Sequence, residues 1–407
     1  YDRLLRELQT LELQHPTLIT LDSPTQRIGA PPSKEFGKVL HSVQMMSMGN
    51  AMNEDEVRRW DKDMRKRLGS GYLAYTVEPK YDGTSVSLRY EGGVLVQAGT
   101  RGDGFAGEDV TGNVRTIKTV PLRLRGNLWP DVVEVRGEVV IPISDFDLLN
   151  AEQAKQGEKI FANPRNAAAG TLRQKDPKIT AARPLAFFPW GLGEISEPVA
   201  KHYSEVADHF KGWGFLVSEY FHVAKCIDEC LQYYSQLLDI RSSLPFEIDG
   251  VVYKVDDLDA RDRLSPRTRE PRWAIAHKFP PREETTVVED IVVQIGRSGV
   301  VTPVAVLVPV QIGGVTITHA TLNNEDQVRL KDVRIGDTVL VRRAGDVIPE
   351  VVCSIPEKRP RGTKKWHMPK RCSECDSEVV REEGEAAHRC MGGLFCPAQR
   401  MGALLHY

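Results

Sequence analysis

Four of the seven cysteines fall within residues 372–396, as Cys372-x2-Cys375 and, after 14 intervening residues, Cys390-x5-Cys396. So short a stretch cannot bury a core of its own. Two close pairs at this spacing set four thiolates around one ion, and tetrahedral Zn²⁺ suits four sulfurs at about 2.3 Å. Four unrelated buried cysteines or an iron–sulfur cluster are the alternatives; Gly392, Gly393 and the flanking charges favour structural zinc. Such a site offers no open coordination position, and metal binding supplies folding free energy. His388 is a spare candidate ligand whose plainer reading is an exposed side chain. Cys226 and Cys230, at i, i+4, and Cys353, in a Val-rich stretch, read as core packing. An odd count crowded at one end fits a reducing compartment better than a disulfide framework, so the cytoplasm is expected.

The other end starts abruptly. Leu4, Leu8 and Leu11 already sit at helical spacing and no Met leads, so the chain reads as entering mid-helix, with no secretory signal visible. A break at Ala30-Pro31-Pro32 precedes a second helix, Glu54 to Leu68, charged on one face. From Leu73 the period changes to two: Val86, Leu88 and Tyr90 face Val94 and Val96 across Gly92-Gly93, a hairpin signal. Strand-like segments recur at 132–141, 185–190, 246–255 and 273–279, with helical stretches at 144–156 and 204–213, which together suggest α+β. After Pro280-Pro281 the texture becomes short Val/Ile runs with glycine turns, from Thr285 to about Val352, which fits a small all-β barrel. At about 150 residues per domain, 407 residues predict two to four domains.

Composition bounds the partners. Lys plus Arg (54) nearly balances Asp plus Glu (56), for a net charge of −2, so no overall field advertises nucleic acid or an anionic membrane. Any such partner must meet a local patch. The longest nearly apolar run, Gly299 to Val310, carries Pro303 and Pro309 and falls short of the roughly 18 residues that span a bilayer. One local patch is Lys358 to Arg371, with seven basic residues, no acidic one, and Trp366. It reads as a solvated linker or as a contact to backbone phosphates.

Glu78-Pro79-Lys80-Tyr81-Asp82-Gly83 places a lysine at the end of an apolar strand, flanked by carboxylates. Alone, that is a solvated charge, because lysine is a poor nucleophile until its surroundings lower its pKa. Other segments change the reading. Arg101-Gly102-Asp103-Gly104 supplies a Gly-flanked arginine on a loop, a mere turn or an approach to phosphate, and Arg136-Gly137-Glu138 puts a carboxylate in a strand beside a glycine. Lys254, after Asp249-Gly250, and Lys278 each lie in an otherwise apolar strand, where an anionic ligand would compensate a buried charge.

These residues carry a resemblance. The run Glu78 to Gly83 resembles the signature of covalent nucleotidyltransferases. With Thr100 to Gly104, Gly107 to Val110, Asn113 to Ile117, Phe161 to Gly170, Arg342 to Pro349 and the four-cysteine finger, practically the whole chain resembles the bacterial NAD-dependent DNA ligase family. The resemblance implies an α+β multidomain chain: a remnant of an N-terminal helical domain (1–34), an adenylation domain with antiparallel sheets (35–281), an OB-fold barrel (282–368), a four-cysteine zinc finger (369–397) and the start of a helix-hairpin-helix region (398–407). It implies NAD as cofactor, Mg²⁺ or Mn²⁺, structural Zn²⁺, and nicked double-stranded DNA as partner, in replication and repair; a monomer without membrane contact is expected.

Residue by residue, Lys80 matches the nucleophile that takes AMP from NAD and expels nicotinamide mononucleotide. Glu78 matches the reader of the adenine amino group, and Asp82 and Arg101 match groups near the ribose and reacting phosphate. Glu138 matches the carboxylate near ribose and metal, Lys254 and Lys278 the phosphate-side lysines, and Asp249 a further acidic position. Trp190 stands where the family usually has a tyrosine stacked on adenine. Arg165 and Arg173 match basic positions facing phosphate or DNA. Within the mildly acidic barrel, Arg297, Arg342 and Arg343 are the expected DNA contacts, with packing as the plain alternative for Arg343. Lys254 and Lys278 are expected to hold down the Lys80 pKa by repulsion.

Two departures from the family pattern are expected to matter. Of the N-terminal segment that cradles the mononucleotide half of NAD, only a tail with Tyr1 and Asp2 matches, so self-adenylation from NAD is expected to be impaired. Family members also continue into helix-hairpin-helix and BRCT domains, so tight encirclement of DNA is expected to be weak. An ATP-dependent ligase or capping enzyme, or a binding module without turnover, are the competing readings.

Overall fold

The computed structural model describes residues 36–406 except 159, 267–269, 313–314, 345–347 and 383, together with 7–8, 10–12, 14–20 and 22–27. Tyr1, Asp2 and the Ala30-Pro31-Pro32 break lie outside the described residues. The chain divides into two units, 1–279 and 280–407.

The first unit is built on two main sheets, one antiparallel and one antiparallel but for a single parallel edge strand, with separate apolar cores. One has four strands in the order Val94–Thr100, Thr84–Glu91, Val132–Val140, Ala186–Ile195. The expected hairpin closes it, with Glu91 opposite Val94 and both Gly92 and Gly93 at positive φ, as a two-residue turn of this hand requires. Val86, Leu88, Tyr90, Val135 and Phe187 are buried in its core. The other sheet has five strands, Gly49–Ala51, Ala274–Lys278, Ile248–Val255, Tyr75–Tyr81 and His222–Ala224. Its core collects Tyr75, Val77, Val251, Tyr253 and Ile275 under helices Glu54–Leu68 and Ile227–Ile240. Helix Glu54–Leu68 is capped by the Asn53 side chain on the Glu56 N–H (3.0 Å) and ends at Gly69 in the left-handed region; such a cap contributes about 1 kcal/mol.

The strand Tyr75–Tyr81 in one sheet passes through Asp82-Gly83 into Thr84–Glu91 in the other. Lys80 therefore lies at the seam where both sheets supply side chains.

Periodicity did not reveal helices Pro164–Leu172, Ile227–Ile240 and Leu258–Leu264. Nor did it show the short strands Lys38–Leu40 and Gly49–Ala51, which precede the helix Glu54–Leu68. These strands are three residues each and exist by pairing: Lys38–Leu40 with Ala106–Glu108, and Gly49–Ala51 parallel to Ala274–Lys278. No local pattern encodes such pairing.

In the second unit, strands Glu283–Ile295, Thr338–Ala344, Ile348–Ser354, Val315–Thr321 and Val300–Ile312 close into a five-stranded barrel, the first pairing with the last. This is an OB-fold domain. Val288, Leu307, Ile317, Val339 and Val341 fill it, and the short helix Glu325–Leu330 lies against it. The cysteine finger docks on the barrel through Val300 opposite Arg389 and Val301 opposite His388. No helix among the described residues is long and apolar enough to cross a membrane.

Candidate active site

Three strands of the five-stranded sheet place Lys80, Gly250 and Lys278 in one register row, Glu78, Val252 and Ala276 in the next, and Thr76, Lys254 and Ala274 in the third. Alternation puts all nine on one face. Gly250 is required by this closeness, since a Cβ there would lie 2.3 Å from the His277 carbonyl oxygen. A register shift between Ile248 and Gly250 re-aims Asp249, which a regular strand would point away from that row. Its carboxylate receives Lys80 Nζ at 3.0 Å and Lys278 Nζ at 2.5 Å.

From the other sheet comes Glu138, which accepts from Ser85 Oγ at 2.8 Å and from the Trp190 side chain. Burial pushes its carboxyl pKa up to about 7, against the pull of Ser85 and Lys80. Gly137 beside it admits the Phe187 ring, which a Cβ would meet at 2.2 Å. Asp82 is paired with Arg165 at 3.0 Å, and burial followed by the charge of Asp249 raises its pKa. Arg101 is exposed and lines the same cavity of about 710 Å³, which runs from Lys80 and Glu138 past Glu78 to Arg261.

Two expectations are corrected here. First, Lys254 is set apart from Lys80 and Lys278 rather than beside them. It is buried four strand positions from the Lys80 row, ion-paired to Glu78, donating to the Trp190 carbonyl (2.5 Å) and lying 4.5 Å from the Tyr203 ring centre. Burial raises the Glu78 pKa and lowers that of Lys254, while the attraction between them opposes both shifts. Second, Lys80 is not held deprotonated by its lysine neighbours. Burial alone would lower its pKa, yet the charge and hydrogen bond of Asp249, with Glu138 and Asp82 behind, hold it above the usual lysine value. Of the two lysines on Asp249, Lys278 is the one that is lowered, by burial and then by the charge of Lys80.

Sequence reasoning gave no role to residues that build the cavity roof. Arg136 donates to the carbonyls of Val43 and, at 3.0 Å, Gln44, tethering the segment whose Met46, Ser47 and Met48 line the cavity. His41 Nε2 lies 3.1 Å from the Thr100 carbonyl oxygen, at the foot of the Arg101 loop. Arg136 is legible only as the neighbour of Gly137-Glu138, and His41 carries no local signal.

The candidate DNA-facing arginines behave differently from one another. Arg165 and Arg173 are half-exposed, the latter paired with Glu108 at 2.6 Å. Arg297 is exposed, and Arg342 is partly exposed and held by Glu350 at 2.6 Å. Arg343 is 6% exposed, so its burial favours the packing alternative over a DNA contact.

The four finger cysteines Cys372, Cys375, Cys390 and Cys396 bring their sulfurs within 4.8 Å of one another. Tetrahedral sulfurs at about 2.3 Å from zinc stand roughly 3.8 Å apart, so the set fits Zn²⁺. The N–H groups of Glu374 and Gly392 point at Cys372 and Cys390 Sγ, both at 3.4 Å, as thiolate ligands require. His388, expected to be exposed, is instead shielded and lies 3.6 Å from Glu325 on the barrel helix.

Comparison with known families decides the assignment: the NAD-dependent DNA ligase adenylation domain matches residues 33–282. The chain belongs to the NAD-dependent DNA ligase family. The OB-fold domain of that ligase family matches 285–363, its C4 zinc finger domain 371–398, and the DNA ligase-like N-terminal NAD+-binding domain 1–29. The chain is 56% identical over 407 residues to a DNA ligase of Acidithiobacillus ferrooxidans and 57% identical to one of Alkalilimnicola ehrlichii, in each case over all of this chain. It spans about three fifths of their length, 61% and 60%. Within the ligase family match, Tyr1 and Asp2 fall in the NAD+-binding segment, whose first residues are outside the described structure.

Proposed function

We propose that the chain carries the nucleotidyl-transfer chemistry of an NAD-dependent DNA ligase. Lys80 attacks the α-phosphorus of NAD and forms a lysyl-AMP phosphoramidate with release of nicotinamide mononucleotide. AMP then passes to a 5′-phosphate at a nick in duplex DNA, and the 3′-hydroxyl displaces it to seal the strand. The observation that carries this reading is the juxtaposition of Lys80 with Asp249, Lys278 and Glu138 at one end of a nucleotide-sized cavity. At the other end Glu78 offers an acceptor beside the Lys254 donor, complementary to the amino and ring-nitrogen edge of adenine, with the Trp190 ring nearby.

Phosphoryl transfer is mainly positioning and charge neutralisation. Lys278 and Arg101 supply positive charge to the phosphates. A divalent ion such as Mg²⁺ would be held by Glu138 with substrate oxygens, in keeping with the few protein carboxylates Mg²⁺ needs, and would neutralise charge on the phosphate. Lys80 must lose a proton to attack, and Asp249 is the base within reach. Intact-mass measurement after incubation with NAD and Mg²⁺, with peptide mapping of any AMP adduct to Lys80, tests the whole reading. Adduct with ATP and not NAD would overturn the choice of cofactor.

Two further outcomes follow from the site. Replacing Asp249 by Asn removes what holds the Lys80 proton, so Lys80 should react with an amine reagent at pH 8 measurably faster than in the wild type, a lower pKa leaving more free amine. Peptide mapping of the labelled lysine checks this, and an unchanged rate would remove Asp249 from that role. The raised Glu138 pKa makes its carboxylate form present above about pH 7 and lost below it. Adduct formation should therefore fall about tenfold per unit as pH drops below 7. More Mg²⁺ should move that limb to lower pH by binding the ionised form, and Glu138→Gln should be slow and lack the limb.

A further inference from the structure

Residues 41–48 run between strands Lys38–Leu40 and Gly49–Ala51 without helix or strand of their own, yet Met46, Ser47 and Met48 line the cavity. Backbone outside regular structure needs other partners to stay in place. At its start, His41 Nε2 lies 3.1 Å from the Thr100 carbonyl oxygen, and in its middle the Met45 N–H donates to the Gly104 carbonyl at 2.9 Å. Between these two points the hold is a side chain. Arg136 donates to the carbonyls of Val43 and, at 3.0 Å, Gln44, a two-point grip that the planar guanidinium fork allows.

The same guanidinium is tied to a second wall of the cavity. Its Nη2 lies 3.3 Å from Glu134 Oε2, which also accepts from the Glu194 N–H at 2.9 Å, while Oε1 takes the Ser87 hydroxyl. The strand Ala186–Ile195 is irregular at this point: its register with Val132–Val140 shifts between Val133 and Val135, and a Cβ on Gly193 would overlap the Glu134 carboxylate. That strand supplies Trp190, Leu192 and Ile195 to the cavity. Roof and wall therefore meet at one buried ion pair, Arg136 and Glu134 being 5% and 6% exposed. We infer that Arg136 and Glu134 are positioning residues for nucleotide binding: the pair holds the roof segment to the Trp190 strand in the empty protein, so a nucleotide enters a preformed slot instead of ordering the segment itself. This rests on the reading of the cavity as a nucleotide site. The gain is the ordering cost that a ligand would otherwise bear for each residue of the roof.

The test is Arg136→Lys, which keeps a charge beside Glu134 but replaces the fork with a point donor that cannot span both carbonyls and the carboxylate. AMP binding to the whole chain, read by the fluorescence of Trp190 and Trp273, which both line the cavity, should weaken about tenfold, the factor for a roof in its bound position a tenth of the time. KM for NAD in adduct formation should rise by the same factor, and the rate at saturation should change by less than about twofold, as when only binding is lost. Hydrogen exchange gives the readout that a merely structural role would not move. Without nucleotide the Met45 amide should exchange faster in the variant than in wild type, and saturating AMP should restore its protection. Glu134→Gln, which keeps an acceptor and removes the charge that aims Arg136, should give the same pattern at smaller size and serves should the lysine variant not fold, with thermal unfolding checking each. Unchanged AMP affinity, or faster exchange spread over strands Thr84–Glu91 and Val132–Val140 and not reversed by AMP, assigns the pair to sheet stability alone and overturns the inference while leaving the nucleotide site standing. A wild type that neither binds AMP nor forms adduct overturns the site itself.

Discussion

Lys80→Ala is expected to abolish the enzyme–AMP adduct and leave the fold intact. The Lys80 amine is about a quarter exposed and its ion pair is to Asp249, which keeps Lys278 at 2.5 Å when Lys80 is gone. No buried carboxylate is thereby left without a cation, which is the condition under which removing half of an ion pair becomes strongly destabilising. Melting temperature should move by no more than a few degrees. Lys80→Arg sharpens the test, because arginine restores the charge beside Asp249 yet cannot deprotonate to attack phosphorus. It too should give no adduct, while binding AMP as well as or better than the alanine variant. Lys278→Ala should differ in kind. It leaves Lys80 and its base in place and removes positive charge from the phosphate, so adduct should form slowly rather than not at all. Adduct formation by Lys80→Ala at the wild-type rate, or an AMP group mapped to Lys254 or Lys278, would remove Lys80 from the nucleophile's role.

The barrel, the hairpin and the finger were legible in the sequence because each rests on a local rule: period-two alternation, a Gly-Gly turn, and paired cysteines. The site residues were legible as types, through the resemblance, but their mutual placement was not. Asp249 faces Lys80 only because of a strand irregularity at Ile248–Gly250, and nothing in the local run Ile248-Asp249-Gly250 distinguishes such a shift from a regular strand. Lys254 reads as one more lysine in an apolar strand, like Lys278. Which end of the cavity each serves depends on register across three strands, a non-local quantity. That is why repulsion between lysines was expected where the structure has a bridging carboxylate. Arg136 and Arg261 went unread for a related reason: their partners are carbonyl oxygens and rings brought together only by the fold. Packing was named for Arg343 beside a DNA contact, but the sequence could not choose between them, since its neighbour Arg342 has the same character and is partly exposed.

Removing zinc should melt the finger and spare everything else. Of the five buried residues in the finger's apolar cluster, three are the ligands Cys372, Cys390 and Cys396, with Met368 and the barrel's Val301 as the others. Without the ion little remains to offset the chain entropy of some 27 residues, whereas zinc binding to such fingers supplies on the order of 10 kcal/mol. The barrel has its own core of Val288, Leu307, Ile317, Val339 and Val341 and needs no metal. Polar contacts from barrel to finger, such as Arg381 to Asp326 at 2.6 Å, are exposed and contribute little alone. Chelation at neutral pH, or Cys390→Ser, should therefore abolish hydrogen-exchange protection in Val379–Arg381 and His388–Cys390 while barrel strands stay protected. Metal analysis should find one zinc per untreated chain. Formation of the Lys80 adduct should be unchanged, because every residue of that site lies in 1–279 and all four ligands lie in 280–407. A finger that stays protected after the metal has left would show that the four cysteines pack as an apolar cluster, the alternative that their spacing argued against.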